Sequence, residues 1–341
     1  MRDQLPELQR WLAEEKPCCA ATVIETWGSA PRPVGSTMFI GAGLEMLGSV
    51  SGGCIEGALL REAKKLSEYP TGKTLRFGVA DNDAWAVGLT CGGAIEIFME
   101  RFFALDEPVL WRQLQECLLQ NRSCVLLTDI SDGGRGHIVV EPDRTPPGTT
   151  ARQAELFELA LRAYRERRSQ VLEVGGQRWF AQVFARKPQL LIIGAAHAAA
   201  ELVQLAAYLG FETIVIDPRE TFARQTHFPT PPDRLLVEYP AEVLPGFALD
   251  EYAFAVLMAH DPKIDDQALH LLLRSDIAYI GALSSKRSNE QRRERLLHAG
   301  FTETDIGRIH APVGLPIRSK TAREIALSIA AQLVAVKNQF L

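Results

Sequence analysis

Apolar and polar positions follow two different rhythms along this chain, and the change between them divides it. In the first half, short apolar runs of strand length are separated by glycine- and proline-rich turns. This pattern predicts strands over 18–26, 36–41, 47–50, 73–79, 94–102, 123–130, 137–140, 171–174 and 178–185. Gly175 and Gly176 join the last two as a hairpin. Helices are predicted at 5–15, 108–121 and 151–168, where apolar residues recur at three- and four-residue steps. One more starts near Ile55, with Ala58, Leu59, Ala63 and Leu66 on its stripe. From Pro188 onward, strands and helices alternate regularly. Strands are predicted at 189–193, 213–216, 234–238, 253–258 and 277–280. Helices are predicted through Leu202–Leu209 and over 265–274 and 289–299. A last helix opens on a Thr321 to Glu324 capping box.

The expected fold class is therefore α/β. A mixed α+β domain with glycine-rich turns occupies 1–186, and a Rossmann-like doubly wound parallel sheet occupies 187–341.

One stretch of the first domain stands out, Gly48-Ser-Val-Ser-Gly-Gly-Cys-Ile-Glu56. It has an echo, Gly88-Leu-Thr-Cys-Gly-Gly-Ala-Ile-Glu96. Both contain Gly-Gly-x-Ile-Glu, with Cys54 after one glycine pair and Cys91 before the other. The first motif opens a helix and the second opens a strand, so they are a local similarity rather than a duplication. Glycine pairs let a backbone turn sharply, and unpaired N–H groups at a helix start suit an anion. Gly52 and Gly53 are thus candidates to meet a phosphate. Ser51 can instead cap the helix, and the glycines can serve a tight strand-to-helix turn alone. A thiol at a helix start ionises more readily, which points to Cys54 as a reactive group or soft-metal ligand. Arg32, at the tip of a loop broken by Gly28, Pro31, Pro33 and Gly35, can meet an anion or simply be solvated.

In the second domain, Gly194-Ala195-Ala196-His197 follows a strand, and Asp217 ends the next strand 23 residues after Gly194. That order is the shape of a dinucleotide-binding unit. Its second and third glycine positions are Ala196 and Ala199, and alanine at the second crowds a pyrophosphate. His260-Asp261 and Ser284 to Arg287 are expected to gather at the same sheet edge.

Composition narrows the field. The 341 residues carry a net charge of −5, with 47% hydrophobic and 23% charged residues. That balance, with no basic stripe interleaved with aromatics, argues against nucleic acid. Six cysteines lie between Cys18 and Cys124, which is no disulfide framework. No Cys-x-x-Cys or paired histidine suggests zinc. With no signal-peptide pattern and no apolar run near eighteen residues, the expectation is a soluble, cytoplasmic chain with reduced thiols and no membrane contact.

These motifs together resemble the XdhC/CoxI family of accessory proteins for molybdenum hydroxylases. The first domain carries the likeness in Gly28-Ser-Ala-Pro-Arg32, Gly48 to Glu56 and Thr90-Cys-Gly-Gly93. The second carries it in Gly194 to His197, Ile216-Asp-Pro-Arg219, Tyr279-Ile-Gly281 and Pro312-Val-Gly-Leu315. The resemblance implies a homodimer that binds molybdenum cofactor (molybdopterin). It further implies help with sulfuration by a cysteine desulfurase, and delivery to xanthine dehydrogenase or a related molybdenum hydroxylase. On this reading the pterin phosphate meets the Gly52–Gly53 or Gly92–Gly93 turn, and Arg32 neutralises it. Cys54 or Cys91 faces the metal or carries sulfur, and Glu56 orients the ligand or moves a proton. Gly194, His197, Asp217, Arg219 and His260 would line a nucleotide or cofactor position in the second domain.

The chain lacks the iron–sulfur cysteine clusters and the length that xanthine dehydrogenase itself needs. It departs from the family pattern at Ala196, where glycine is usual, and at Arg318-Ser319, where Gly-Ala is usual; both weaken the case for a nucleotide. Two other readings stay open. One is an NAD(P)-dependent oxidoreductase using His197 or His260, and the other is a pure interaction scaffold for the desulfurase and its target.

Overall fold

A computed structural model of the chain describes residues 1–65, 72–78, 93–132, 136–144 and 150–340. The chain divides into two compact units, Met1–Arg186 and Lys187–Leu341.

The first unit contains α1 (Leu5–Ala13), β1 (Cys18–Trp27), β2 (Thr37–Gly41), β3 (Met46–Gly48), α2 (Glu56–Ala63), β4 (Lys73–Phe77) and β5 (Ala94–Arg101). It continues with α3 (Pro108–Leu119), β6 (Cys124–Asp129), β7 (His137–Val140), α4 (Ala151–Arg165), β8 (Gln170–Val174) and β9 (Gln177–Phe184). A five-stranded antiparallel sheet runs β3-β2-β1-β5-β4, and a four-stranded one runs β7-β6-β9-β8.

Successive residues of a strand face opposite sides, so one strand feeds two cores. On β1, Ala20 joins Phe39, Trp111 and Leu126 in a core shared by both sheets, α1 and α3. Ala21 and Val23 instead face Ile55 and Leu59 of the α2 segment. On β6, Leu126 faces the shared core, and Val125 and Leu127 pack beneath α4. The unit is thus helix, sheet, sheet, helix.

The second unit contains β10 (Gln189–Ile193), α5 (His197–Tyr208), β11 (Glu212–Ile216), β12 (Arg234–Leu236), α6 (Pro240–Val243), β13 (Ala253–Leu257) and α7 (Pro262–Leu272). Then come β14 (Tyr279–Ala282), α8 (Lys286–His298), α9 (Glu303–Ile306), β15 (Ile309–His310) and α10 (Ala322–Phe340). All six strands are parallel in the order β12-β11-β10-β13-β14-β15, the Rossmann order. Leu190 and Ile192 bury against α5 and α10, and Leu191 and Ile193 against α7 and α8.

Several boundaries differ from the sequence expectation for local reasons. Helix α7 begins at Pro262 rather than 265 because the Asp261 side chain caps it through the Lys263 N–H at 2.9 Å. Helix α8 begins at Lys286 because Ser285 caps it, which shortens the expected loop over 281–288. The two-residue strand β15 and the four-residue helices α6 and α9 are too short for periodicity to reveal. The helix after the first glycine motif starts at Glu56, so Gly52 and Gly53 lie in the turn before it rather than at its end.

Candidate functional site

The turn between β3 and α2 is built around one carboxylate. Val50 and Ile55 are fully buried and pin its two sides to the core beneath α2. Between them Gly52 and Gly53 take φ of 74° and 118°, the left-handed region that glycine alone enters cheaply. A Cβ on either would meet nothing within 4 Å among the described residues. The glycines are therefore required by backbone conformation.

Glu56, itself buried, turns back into this loop. Its Oε1 accepts from the Ser49 hydroxyl at 2.8 Å, the Ser51 N–H at 3.0 Å and the Val50 N–H at 3.3 Å. Its Oε2 accepts from the Ser51 hydroxyl, the Gly53 N–H at 2.9 Å and the Ile55 N–H at 3.3 Å. Gly52 gives its N–H to Ser49 Oγ at 2.9 Å. The Ser51 hydroxyl also accepts the Ile55 N–H at 3.0 Å; the N-cap of α2 is Ile55 itself, so Ser51 holds the turn rather than capping the helix. Burial works against ionising Glu56, but the two hydroxyls and the Ser51 N–H outweigh it and hold the carboxyl down at about 2.

The anion that this nest of N–H groups holds is thus the chain's own. The donors expected to take a phosphate, on Gly52 and Gly53, are engaged with Ser49 and Glu56. A proton-moving role for Glu56 has no support, because both of its oxygens are saturated and the group is fully ionised at neutral pH.

Cys54 sits on the shoulder of the loop, half-buried, with its side chain against the same core. Ala30, from the loop that carries Arg32, packs against that core too, and Ile95 lies within it. Arg32 is exposed at the tip of its loop. Gly93 is buried against the same loop: a Cβ there would lie 2.6 Å from the Ser29 carbonyl oxygen and 2.9 Å from that of Trp27. The three motif segments thus share one anchorage. Cys91 and Gly92 lie outside the described residues, so the expected pairing of the two thiols, as metal ligands or otherwise, is not on view. Glu96 is the second motif's counterpart to Glu56, but its setting differs. It is buried in β5, 3.2 Å from Arg76 and 3.8 Å from Arg178.

In the second unit, Asp217 is fully buried and both its oxygens are used. Arg219 donates from Nε at 2.8 Å and from its terminal nitrogen at 2.7 Å, and the Ala195 N–H donates at 2.8 Å. Burial opposes the charge on Asp217, but the Arg219 guanidinium and these N–H groups outweigh it and lower its pKa. The acid expected to line a nucleotide position, where such units hold a ribose, is therefore spent on closing the first strand-to-helix turn. Gly194 is needed because a Cβ would lie 2.4 Å from the Ala259 nitrogen. His197 and His260 are both exposed; His197 opens α5 and His260 follows β13, at φ 56°. Because β10 and β13 are neighbours, the structure places both histidines at one sheet edge.

The sequence reading missed His137. Its Nδ1 lies 2.8 Å from Glu107 and its Nε2 3.1 Å from Glu100, and its ring stacks on Phe103. Burial works against charging the ring, but the two carboxylates outweigh it and raise its pKa. No local signal marks it, since its partners are 30 and 37 residues away. Among the described residues no group of three or more His, Cys, Asp or Glu side chains could hold a metal ion. No described helix is long and apolar enough to cross a membrane.

Comparison with known proteins agrees with this division of the chain. Residues 11–78 match the model of the XdhC and CoxI family, and residues 190–333 match that of the XdhC Rossmann domain. The chain belongs to the XdhC/CoxI family. It is 25% identical over 97% of both chains to a probable xanthine dehydrogenase subunit of Bacillus subtilis. It is 24% identical to the molybdenum cofactor insertion chaperone PaoD of Escherichia coli, over 96% of this chain and 85% of that one. A crystal structure described as a xanthine dehydrogenase from Bacillus halodurans superposes with a TM-score of 0.77, at 26% identity, covering 98% of this chain and 96% of the other.

Several family motifs prove to be packing devices in this chain. A Cβ on Gly281 would lie 2.5 Å from Val313, and one on Gly314 would lie 2.0 Å from the Ser328 hydroxyl. Gln332 Oε1 accepts from both the Tyr279 hydroxyl at 2.5 Å and the Gly314 N–H at 2.7 Å. Arg318, at the position where the resemblance leads one to expect glycine, keeps a left-handed φ of 60°. Ala196, the other departure, has φ −72° and needs no glycine.

Proposed function

We propose that this chain is a carrier of molybdenum cofactor that assists its sulfuration by a cysteine desulfurase and its insertion into an enzyme of the xanthine dehydrogenase type. The observation that supports this most is the similarity to an insertion chaperone along nearly the whole chain. The cofactor is cargo on this reading, and the chain a maturation factor rather than an enzyme, working as a cytoplasmic homodimer. The first unit handles the cofactor. Cys54 faces the metal or carries sulfur, presented by a loop that Glu56 holds rigid from within. A phosphate reaches the Gly52 N–H only by displacing Ser49, and the Gly53 N–H only by displacing Glu56. Arg32, already exposed, is the group that meets the cofactor's negative charge. Glu56 acts as a positioning residue.

An NAD(P)-dependent oxidoreductase fits less well, because Asp217 has no oxygen left for a ribose. The test is gel filtration of the full chain after anaerobic incubation with molybdenum cofactor, followed by assay of the protein peak for pterin. Pterin is expected to elute with the protein. A pterin-free protein peak would sink the reading.

A further inference from the structure

The cofactor reading makes no use of an apolar cavity in the first unit, at the opposite end of α2 from Cys54. It has a volume of about 530 Å3, within the usual range for small-molecule sites. Its apolar lining includes Cys19, Ile40, Leu44 and Ala63, and all four belong to or pack against the core beneath α2. Among the described residues its charged lining is Lys64 and Arg101. Arg101 is the cross-strand partner of Cys19, so guanidinium and thiol project to one face of the sheet. The carboxylate beside Arg101 belongs to Asp106, at 3.5 Å, with the two side chains 58% and 57% exposed. Water screens such a contact, and it holds the arginine weakly. Glu45 lies over the backbone of Gly41 and Gly43. Burial raises the pKa of the Cys19 thiol, so at neutral pH it is a soft, uncharged wall rather than a nucleophile.

We propose that this cavity binds a small aromatic anion, its ring system against Cys19, Ile40, Leu44 and Ala63 and its acidic group between Lys64 and Arg101. This goes beyond the carrier function and is tested without molybdenum cofactor. Fluorescence titration of the full chain would use 8-anilinonaphthalene-1-sulfonate as the anionic probe and N-phenyl-1-naphthylamine as its neutral counterpart. Saturable binding of the sulfonate by the wild type is expected. The double variant Lys64→Gln, Arg101→Gln should weaken the sulfonate at least fivefold and leave the neutral probe within twofold. Ala63→Trp, which fills the apolar lining, should remove both probes, and Cys54→Ser should change neither. Lys64 and Arg101 are exposed, so the double variant decides the matter even where Ala63→Trp does not fold. Absence of saturable sulfonate binding by the wild type, or equal affinity in the wild type and the double variant, overturns the proposal.

Discussion

The carboxylate of Glu56 accepts the backbone N–H of Gly53 at 2.9 Å, across three residues of its own loop. A glycine pair that in sequence looks like a cradle for an outside anion is, in the fold, closed on an inside one. Removing the charge should loosen the loop. Glu56→Gln keeps the shape but turns one acceptor into a donor facing N–H and O–H groups. A loss of about 1–3 kcal/mol is expected in urea unfolding.

The same carboxylate gives a pH signature. Its folded pKa, about 2, lies below the unfolded value of 4.5. Its contribution is therefore complete above about pH 4.5 and is lost as pH falls through about 2. Unfolding free energy measured from pH 6 downward should drop less steeply in Glu56→Gln than in the wild type. Parallel curves would contradict the assignment.

His137 should behave with the opposite sign. Its folded pKa is raised above the ordinary 6.5 by Glu100 and Glu107. Its contribution is present below pH 6.5 and fades as pH rises through the higher folded value. His137→Ala should cost at least about 2 kcal/mol at pH 6, since it leaves two carboxylates without their shared cation. The cost should shrink by pH 9, as measured by urea melts at both values.

Much of this was legible in sequence and some was not. The Rossmann unit reads clearly because the central strands β10, β11 and β13 are nearly continuous apolar runs and α5 and α10 carry apolar stripes. The glycine motif reads as a turn because Gly52 and Gly53 stand between a strand and an apolar helical stripe. What the sequence does not show is where the N–H groups of that turn go. Glu56 sits in the first helical turn, and only the folded loop brings Ser49 and Ser51 onto it. Asp217 shows the same limit. Its position matches a ribose-binding acid, but Arg219, two residues on, curls back and takes both oxygens.

Arg318 offers a gain rather than a loss. A non-glycine residue at φ 60° costs about 1 kcal/mol or more relative to glycine. Arg318→Gly should raise stability by at most about 1 kcal/mol in thermal or denaturant unfolding, because the entropy that glycine adds to the unfolded chain offsets part of the relief.

The Asp217–Arg219 pair should prove structural. Asp217→Ala would leave the guanidinium and the Ala195 N–H without an acceptor, at a cost of about 3 kcal/mol. The wild type should show no saturable quenching by NADH or NADPH up to about millimolar levels, the range of weak binding. Saturation at micromolar nucleotide would contradict a purely structural Asp217.

The central claim is that Cys54, carried on the Glu56-locked loop, meets the cofactor. Anaerobic titration of molybdenum cofactor into the wild type, Cys54→Ser, Cys91→Ser and the double variant tests it most directly. Cys54→Ser is predicted to weaken binding at least tenfold while the protein keeps its wild-type melting temperature. Equal affinity of the wild type and the double variant would contradict the account.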